Sequence, residues 1–275
     1  MGPPRLSPAA TIQGARQRDY AAGMASLFRR VLAPNPGPMT LDGTNSYLLA
    51  APGAASVIVV DPGPADDGHL AELAAGGHVE LILLTHHHAD HVEGAAALAA
   101  ATGAPVRAFD AALCRNAGAL VDGEVIEAAG VRLRVIATPG HTADSVCFHL
   151  AEEGAAGAVL TGDTVLGRGT TIIADPDGAL GPYLRSLETL RSLGSARVLP
   201  GHGPELDDLS LVAAAYLAHR AGRLDEVRRA LVDLGADASV GAVTDLVYAG
   251  TDPAVRPAAE ASVRAQLAYL RAGTD

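Results

Sequence analysis

Apolar positions recur along this chain in two rhythms. Between residues 44 and 199, short apolar or alternating runs each close on a Gly, Pro or Asp cluster and read as strands. They fall at 44–49, 57–60, 79–84, 106–108, 124–128, 131–137, 145–150, 159–161 and 197–199. Ala129-Gly130 separates two of them in hairpin fashion. Residues 66–75 form a helix candidate with Leu70 and Leu73 on one face, 92–101 are helix-favouring, and Tyr183, Leu187 and Leu190 share another helix face. Strands and helices in two successive blocks predict an α/β fold of two sheets packed face to face with helices outside.

From Leu206 the rhythm becomes purely helical. Leu224, Val227, Leu231 and Leu234 make one stripe, Ser239 is placed to cap a short helix carrying Val243 and Leu246, and Val263, Leu267 and Leu270 make a last stripe. The expected organisation is a disordered leader over 1–23, a catalytic domain over 24–205 and a small C-terminal helical module over 206–275. Met24 is an alternative start.

Polar chemistry is concentrated where strands end. The run Leu81-Ile82-Leu83-Leu84 breaks into Thr85-His86-His87-His88-Ala89-Asp90-His91. His86 and His88, two apart, face one way and can share an ion, whereas His87 points away and is expected to be dispensable. Asp90 and His91 reach a second ion beside the first. Three later strands end alike: Pro139-Gly140-His141, Gly162-Asp163 and Pro200-Gly201-His202. The resulting set is His86, His88 and His141 for one ion, Asp90, His91 and His202 for the other, and Asp163 bridging. Imidazole and carboxylate donors suit two Zn2+ per chain, with Mn2+ or Fe as alternatives. Asp61, in Asp61-Pro62-Gly63, either orients a histidine ligand or forms a turn.

Composition narrows the function. Apolar residues make up 49% of 275 residues, enough for a large core, and the twenty basic residues are all Arg. The net charge of −11 argues against a broad nucleic-acid footprint, though not against a site where metal holds one phosphate. Cys114 and Cys147 read as buried apolar fillers. No apolar stretch is long enough for a membrane span and no signal core follows the N-terminus, so a cytoplasmic protein with no membrane partner is expected.

The ligand run His86-x-His88-x-Asp90-His91, with His141, Asp163 and His202, resembles the metallo-β-lactamase superfamily over residues 30–205. The resemblance implies an αββα sandwich with a dinuclear site, as in the glyoxalase II-like branch. Asp163 at the bridging position fits that branch, and His88 departs from the Glu usual in flavodiiron members. Residues 36–45, 139–145 and 162–167 and the tail with His219-Arg220 are similar to the beta-lactamase-like protein 2 group. That similarity implies metal-dependent cleavage of single-stranded RNA and a C-terminal module of winged-helix type. The module's other reading is a structural lid, and its excess of Asp and Glu over Arg weakens the nucleic-acid one.

The expected mechanism is hydrolysis by hydroxide formed from a water shared by two ions, with Asp90 orienting it and passing on its proton. The loop 167–181 is expected to border the substrate. Asn45, Arg168 and His219 are candidate substrate contacts, with Thr44 beside them; Arg168 either meets an anionic group or is a solvated loop residue, and Tyr183 is expected in the core. The leading substrate is single-stranded RNA or another phosphodiester. A glyoxalase II-like thioester or lactone, a small-molecule substrate, is the alternative. A non-hydrolytic redox or nucleic-acid-binding protein is the third reading.

Overall fold

A computed structural model describes residues 26–173, 176–250, 252 and 256–273; the leader expected over 1–23 and the start at Met24 lie outside them. Strands β1 (Phe28–Leu32), β2 (Asn45–Leu49), β3 (Ser56–Val60), β4 (His78–Leu83) and β5 (Val106–Arg107) form one sheet in that order, its first two pairings antiparallel and its last two parallel. Strands β6 (Val125–Ala128), β7 (Val131–Ala137), β8 (Val146–Leu150), β9 (Ala158–Gly162) and β10 (Arg197–Pro200) form the second sheet, in the order β10-β9-β8-β7-β6. There only β9 and β10 run parallel. The β6–β7 turn at Ala129-Gly130 has φ of 50° and 70°, the left-handed pair a two-residue hairpin requires.

The sheets face each other through one apolar layer. Leu49, Ile58, Val60 and Leu83 come from the first sheet, and Leu133, Val135, Phe148 and Leu160 from the second. The opposite faces are covered by helices. Leu70 and Leu73 of α1 (Asp67–Ala74) and Leu98 of α3 (Ala95–Thr102) pack on Val57, Val59 and Ile82. Tyr183, Leu187 and Leu190 of α4 (Leu180–Arg191) pack on Cys147, Val159 and Val198. This is the expected αββα sandwich. The helix expected over 92–101 is interrupted: a short α2 (Ala89–Val92) precedes α3, whose N-cap Gly94 packs so close to Leu70 that a Cβ would stand 2.7 Å from Leu70 Cδ2.

Strand β1 lacks a sequence signal. Only Val31 is buried in it, and Arg29 and Arg30 point to solvent, so an edge strand shows no alternation. Beyond β10, α5 (Leu209–Leu234), α6 (Val240–Val247) and α7 (Arg256–Arg271) follow, and Ser239 Oγ accepts from Ala242 N as the expected cap. Val227, Val243, Val263 and Leu267 close a small core of their own. Two members of the expected stripes, Leu234 and Leu246, are exposed at 45% and 47%. The winged-helix expectation is not met: among the described residues after Leu206 there are helices and turns but no strand for a wing, since the apolar spacing there is three and four throughout. Cys147 is buried as expected, whereas Cys114 is only partly so. Among the described residues, no helix is long and apolar enough to cross a membrane.

Candidate metal centre

The parallel pairs bring their carboxyl ends to one edge of the sandwich. There, backbone hydrogen bonds tie the loops of one sheet to those of the other, Asn45 N to Gly201 O at 2.7 Å and Val146 N to Thr85 O at 2.8 Å, and Gly201 N to Gly162 O at 2.9 Å joins two loops of the second sheet. The seven expected ligands therefore converge from four loops.

His88 Nδ1 lies 3.0 Å from His86 Nε2 and 3.1 Å from His141 Nε2. Beside this trio, His202 Nε2 stands 3.2 Å from His91 Nε2 and 3.1 Å from Asp90 Oδ2. Asp163 lies between, with Oδ1 3.5 Å from His91 Nε2 and Oδ2 3.7 Å from His141 Nε2 and 3.5 Å from His202 Nε2. Donors about 2.1 Å from a tetrahedral ion stand about 3.4 Å from one another, so these separations are those of ligands around a pair of cations. Asp163 Oδ1 is buried with no hydrogen-bond partner, which fits an atom awaiting a cation.

The outer edges of four of the five rings are fixed. His141 Nδ1–H donates to Ile172 O at 2.8 Å, and His202 Nδ1–H to Gly43 O at 3.2 Å. His91 Nδ1–H donates to Asp61 Oδ2 at 2.9 Å, and His86 Nδ1–H to Thr85 Oγ1 at 3.0 Å. Thr85 in turn donates through Oγ1 and N to the two oxygens of Asp61, at 2.7 and 2.8 Å. Each of these bonds leaves Nε2 as the inward lone pair. Of the two roles open to Asp61, the geometry gives the orienting one; its φ of 49° aims the carboxylate back under the ligand loop.

Charge is divided within the cluster. Burial, then the neighbouring rings, holds His86 well below the ordinary imidazole range, so it is a neutral donor. Burial also opposes charge on His202, but its bonds to Asp163 and Asp90 outweigh this and raise it to about 9. His91 is likewise raised, against its burial, by Asp163 and Asp61. Burial works against ionised Asp163, yet His91 and His202 keep it well below the usual carboxylate range. Without cations the centre holds protons in their place.

The expected substrate contacts fare differently. Asn45 is buried and its amide donates to Pro200 O and Gly203 O, both at 2.9 Å, so it ties loops rather than facing a substrate. Thr44, also buried, donates from Oγ1 to Asp90 Oδ2 at 3.2 Å and orients that carboxylate. Arg168 is exposed at the rim but held by Asp42 in two hydrogen bonds of 2.8 and 3.0 Å. His219 lies on the exposed side of α5 and makes none of the contacts that build the centre. Its neighbour Arg220 is buried, lies over the Tyr183 ring at 5.3 Å and donates to Thr171 O. Thr171 Oγ1 donates to Asp163 O at 2.7 Å, so α5 braces the loop that carries the bridging ligand. Tyr183 is in the core as expected, its hydroxyl donating to Thr164 O at 2.8 Å. His87 does turn from the ligand trio, and pairs with Asp144 Oδ1 at 2.8 Å.

The model of the metallo-beta-lactamase superfamily matches residues 39–202. The chain is 34% identical to a beta-lactamase-like protein 2 homolog of Caenorhabditis elegans, over 90% of this chain and 85% of that one. It is 35% identical to an atrochrysone carboxyl ACP thioesterase of Aspergillus fumigatus, over 74% of this chain but only 65% of that one. Among solved structures, a metallo-beta-lactamase family protein of Thermus thermophilus superposes with a TM-score of 0.73 at 27% identity, over 90% of this chain and 94% of that one. A shared fold, a converged His/Asp cluster and these matches lead to one conclusion: the chain belongs to the metallo-beta-lactamase superfamily and is a metal-dependent hydrolase.

Proposed function

We propose that the chain hydrolyses an acyl thioester or a related carbonyl substrate, using two Zn2+ held by His86, His88, Asp90, His91, His141, Asp163 and His202. The carrying observation is the Arg168–Asp42 pair: the rim cation that could meet an anionic group is already paired with a carboxylate at 2.8 Å. The net charge of −11 points the same way, away from a polyanion and toward a small-molecule substrate. The similarity to a protein named as an acyl-carrier thioesterase supports it. Single-stranded RNA, or another phosphodiester, is the second reading. It is favoured by the match to a beta-lactamase-like protein 2 homolog, which covers 90% of this chain, more than the sandwich alone.

A pair of divalent ions supplies, when bound, water acidified toward neutral pH and polarisation of the electrophilic oxygen. The chain's own residues do the rest. Asp90 is the group to orient the attacking water and take its proton. Its side chain is 29% exposed, whereas that of Asp163 is 12% exposed, and Thr44 holds the oxygen nearer His202. His202 and His91 keep Asp90 ionised despite its partial burial. Asp61 holds the two ligands His86 and His91 in register. We take residues 24–205 as the catalytic unit and 206–275 as a helical module bracing the Asp163 loop through Arg220, in a cytoplasmic protein.

The test is turnover of zinc-loaded protein on S-lactoylglutathione, an acyl-pantetheine thioester and single-stranded RNA, each beside Asp90→Ala. Thioester hydrolysis lost in the variant is the expected result. RNA cleavage alone, lost in the variant, would establish the second reading, and silence on all substrates would overturn both.

A further inference from the structure

One histidine of the ligand run is left over by the dinuclear centre. His87 sits between two carboxylates that the catalytic set does not use: Nδ1 is 2.8 Å from Asp144 Oδ1, and Nε2 is 3.4 Å from Asp177 Oδ2. The two contacts differ in kind. The first is a hydrogen bond. Asp144 is buried and Thr142 Oγ1 donates to the same oxygen at 2.7 Å, so the carboxylate is fixed and sets the ring with its proton on Nδ1. Nε2 is then left as a lone pair. The second contact is longer than an ordinary N–H···O bond and close to the spacing, about 3.4 Å, of two donors on one tetrahedral ion.

A third donor is at hand. His87, His88 and Asp177 each bring one ligand atom to within 4.8 Å of the other two. The His87–Asp177 edge already has the spacing of two donors on one ion, and the edges to His88 close by rotation of the exposed His87 and Asp177 side chains. A buried carboxylate fixing a histidine whose free nitrogen faces a second carboxylate is the arrangement that surrounds a bound zinc.

We propose that His87, Asp177 and His88 form a third divalent-cation site on the rim of the dinuclear centre, one that takes zinc, with His88 bridging as an imidazolate: one ring nitrogen serves the centre, the other serves the third ion, and the N–H proton it displaces passes to water. An imidazole, a bridging imidazolate and a carboxylate are donors that suit zinc, and water completes the shell, because the His87 and Asp177 side chains are 39% and 40% exposed. Fewer buried ligands make this site weaker than the central pair. When filled, it fastens the segment carrying Asp177 to the ligand loop. The inference rests on the dinuclear reading, since His88 belongs to both sites.

The test is equilibrium dialysis against graded free zinc, with bound metal counted per chain by mass spectrometry. The wild type is expected to hold two equivalents at low zinc and a third at higher zinc. Asp177→Ala, at an exposed position that leaves the fold intact, is expected to keep two and lose the third, and His87→Gln to do the same. Saturation of the wild type at two, or a third equivalent untouched by both substitutions, would overturn the site. Fewer than two equivalents at low zinc would count against the dinuclear centre instead, and the difference between wild type and Asp177→Ala still reads the third site.

Discussion

The Asp61 carboxylate stands 2.9 Å from His91 Nδ1, on the edge of the ring opposite the metal-facing nitrogen. Through Thr85 the same carboxylate fixes His86, so one residue sets a ligand in each half of the centre. Asp61→Asn tolerates the left-handed backbone that Asp61 adopts but weakens both ties. Zinc affinity, measured by competition with a chromogenic chelator, is expected to fall by about 10–100-fold. An unchanged affinity would remove Asp61 from the centre's support.

The charge state of His202 sets a pH dependence. Its pKa of about 9, against an ordinary 6.5, means the metal-free protein carries a proton there at neutral pH. That proton's stabilising effect is full below about 6.5 and is lost as pH rises through about 9. Metal affinity runs the other way, rising with pH as the competing proton leaves. Calorimetry of zinc binding at pH 7.5 in buffers of different ionisation enthalpy is expected to show release of about one proton or more per chain. Heats that do not depend on buffer would contradict it.

Gly201 approaches the centre more closely than a side chain allows. A Cβ there would stand 2.6 Å from Asp163 Oδ1 and 2.8 Å from His91 Cε1. Gly201→Ala is therefore expected to displace the bridging carboxylate and reduce bound metal below two per chain, with circular dichroism little changed. Full metal content would show that the loop yields.

Arg220 tests the brace from α5. Arg220→Met fills similar volume but leaves Thr171 O without its donor, and is expected to cost about 1–3 kcal/mol, read as a lower urea midpoint. An unchanged midpoint would make the contact incidental.

The ligands are legible because the sequence repeats one device, a buried strand broken by a small residue and then a donor, at His86, His141, Asp163 and His202. Asp61 also follows a buried strand, but Asp-Pro-Gly is an ordinary turn as well, and only the fold, by bringing His91 back to it, separates the two roles. The Arg220 signal is present and easy to pass over: Ala213, Tyr216, Arg220, Leu224 and Val227 form one buried stripe on α5, with an arginine at a core position. His219, beside it, falls on the outer face. Strand β1 is invisible because one edge strand with a single buried residue has no period to detect. The ties of Arg168 and Asn45 are not legible in the sequence, since their partners Asp42, Pro200 and Gly203 are distant in it.

The most direct test of the dinuclear account is the metal content of Asp163→Ala, counted beside the wild type after zinc loading and removal of loosely held ions. The account predicts two zinc ions per wild-type chain, fewer than two in the variant, and loss of turnover with them. Two ions and an undiminished rate in Asp163→Ala would contradict it.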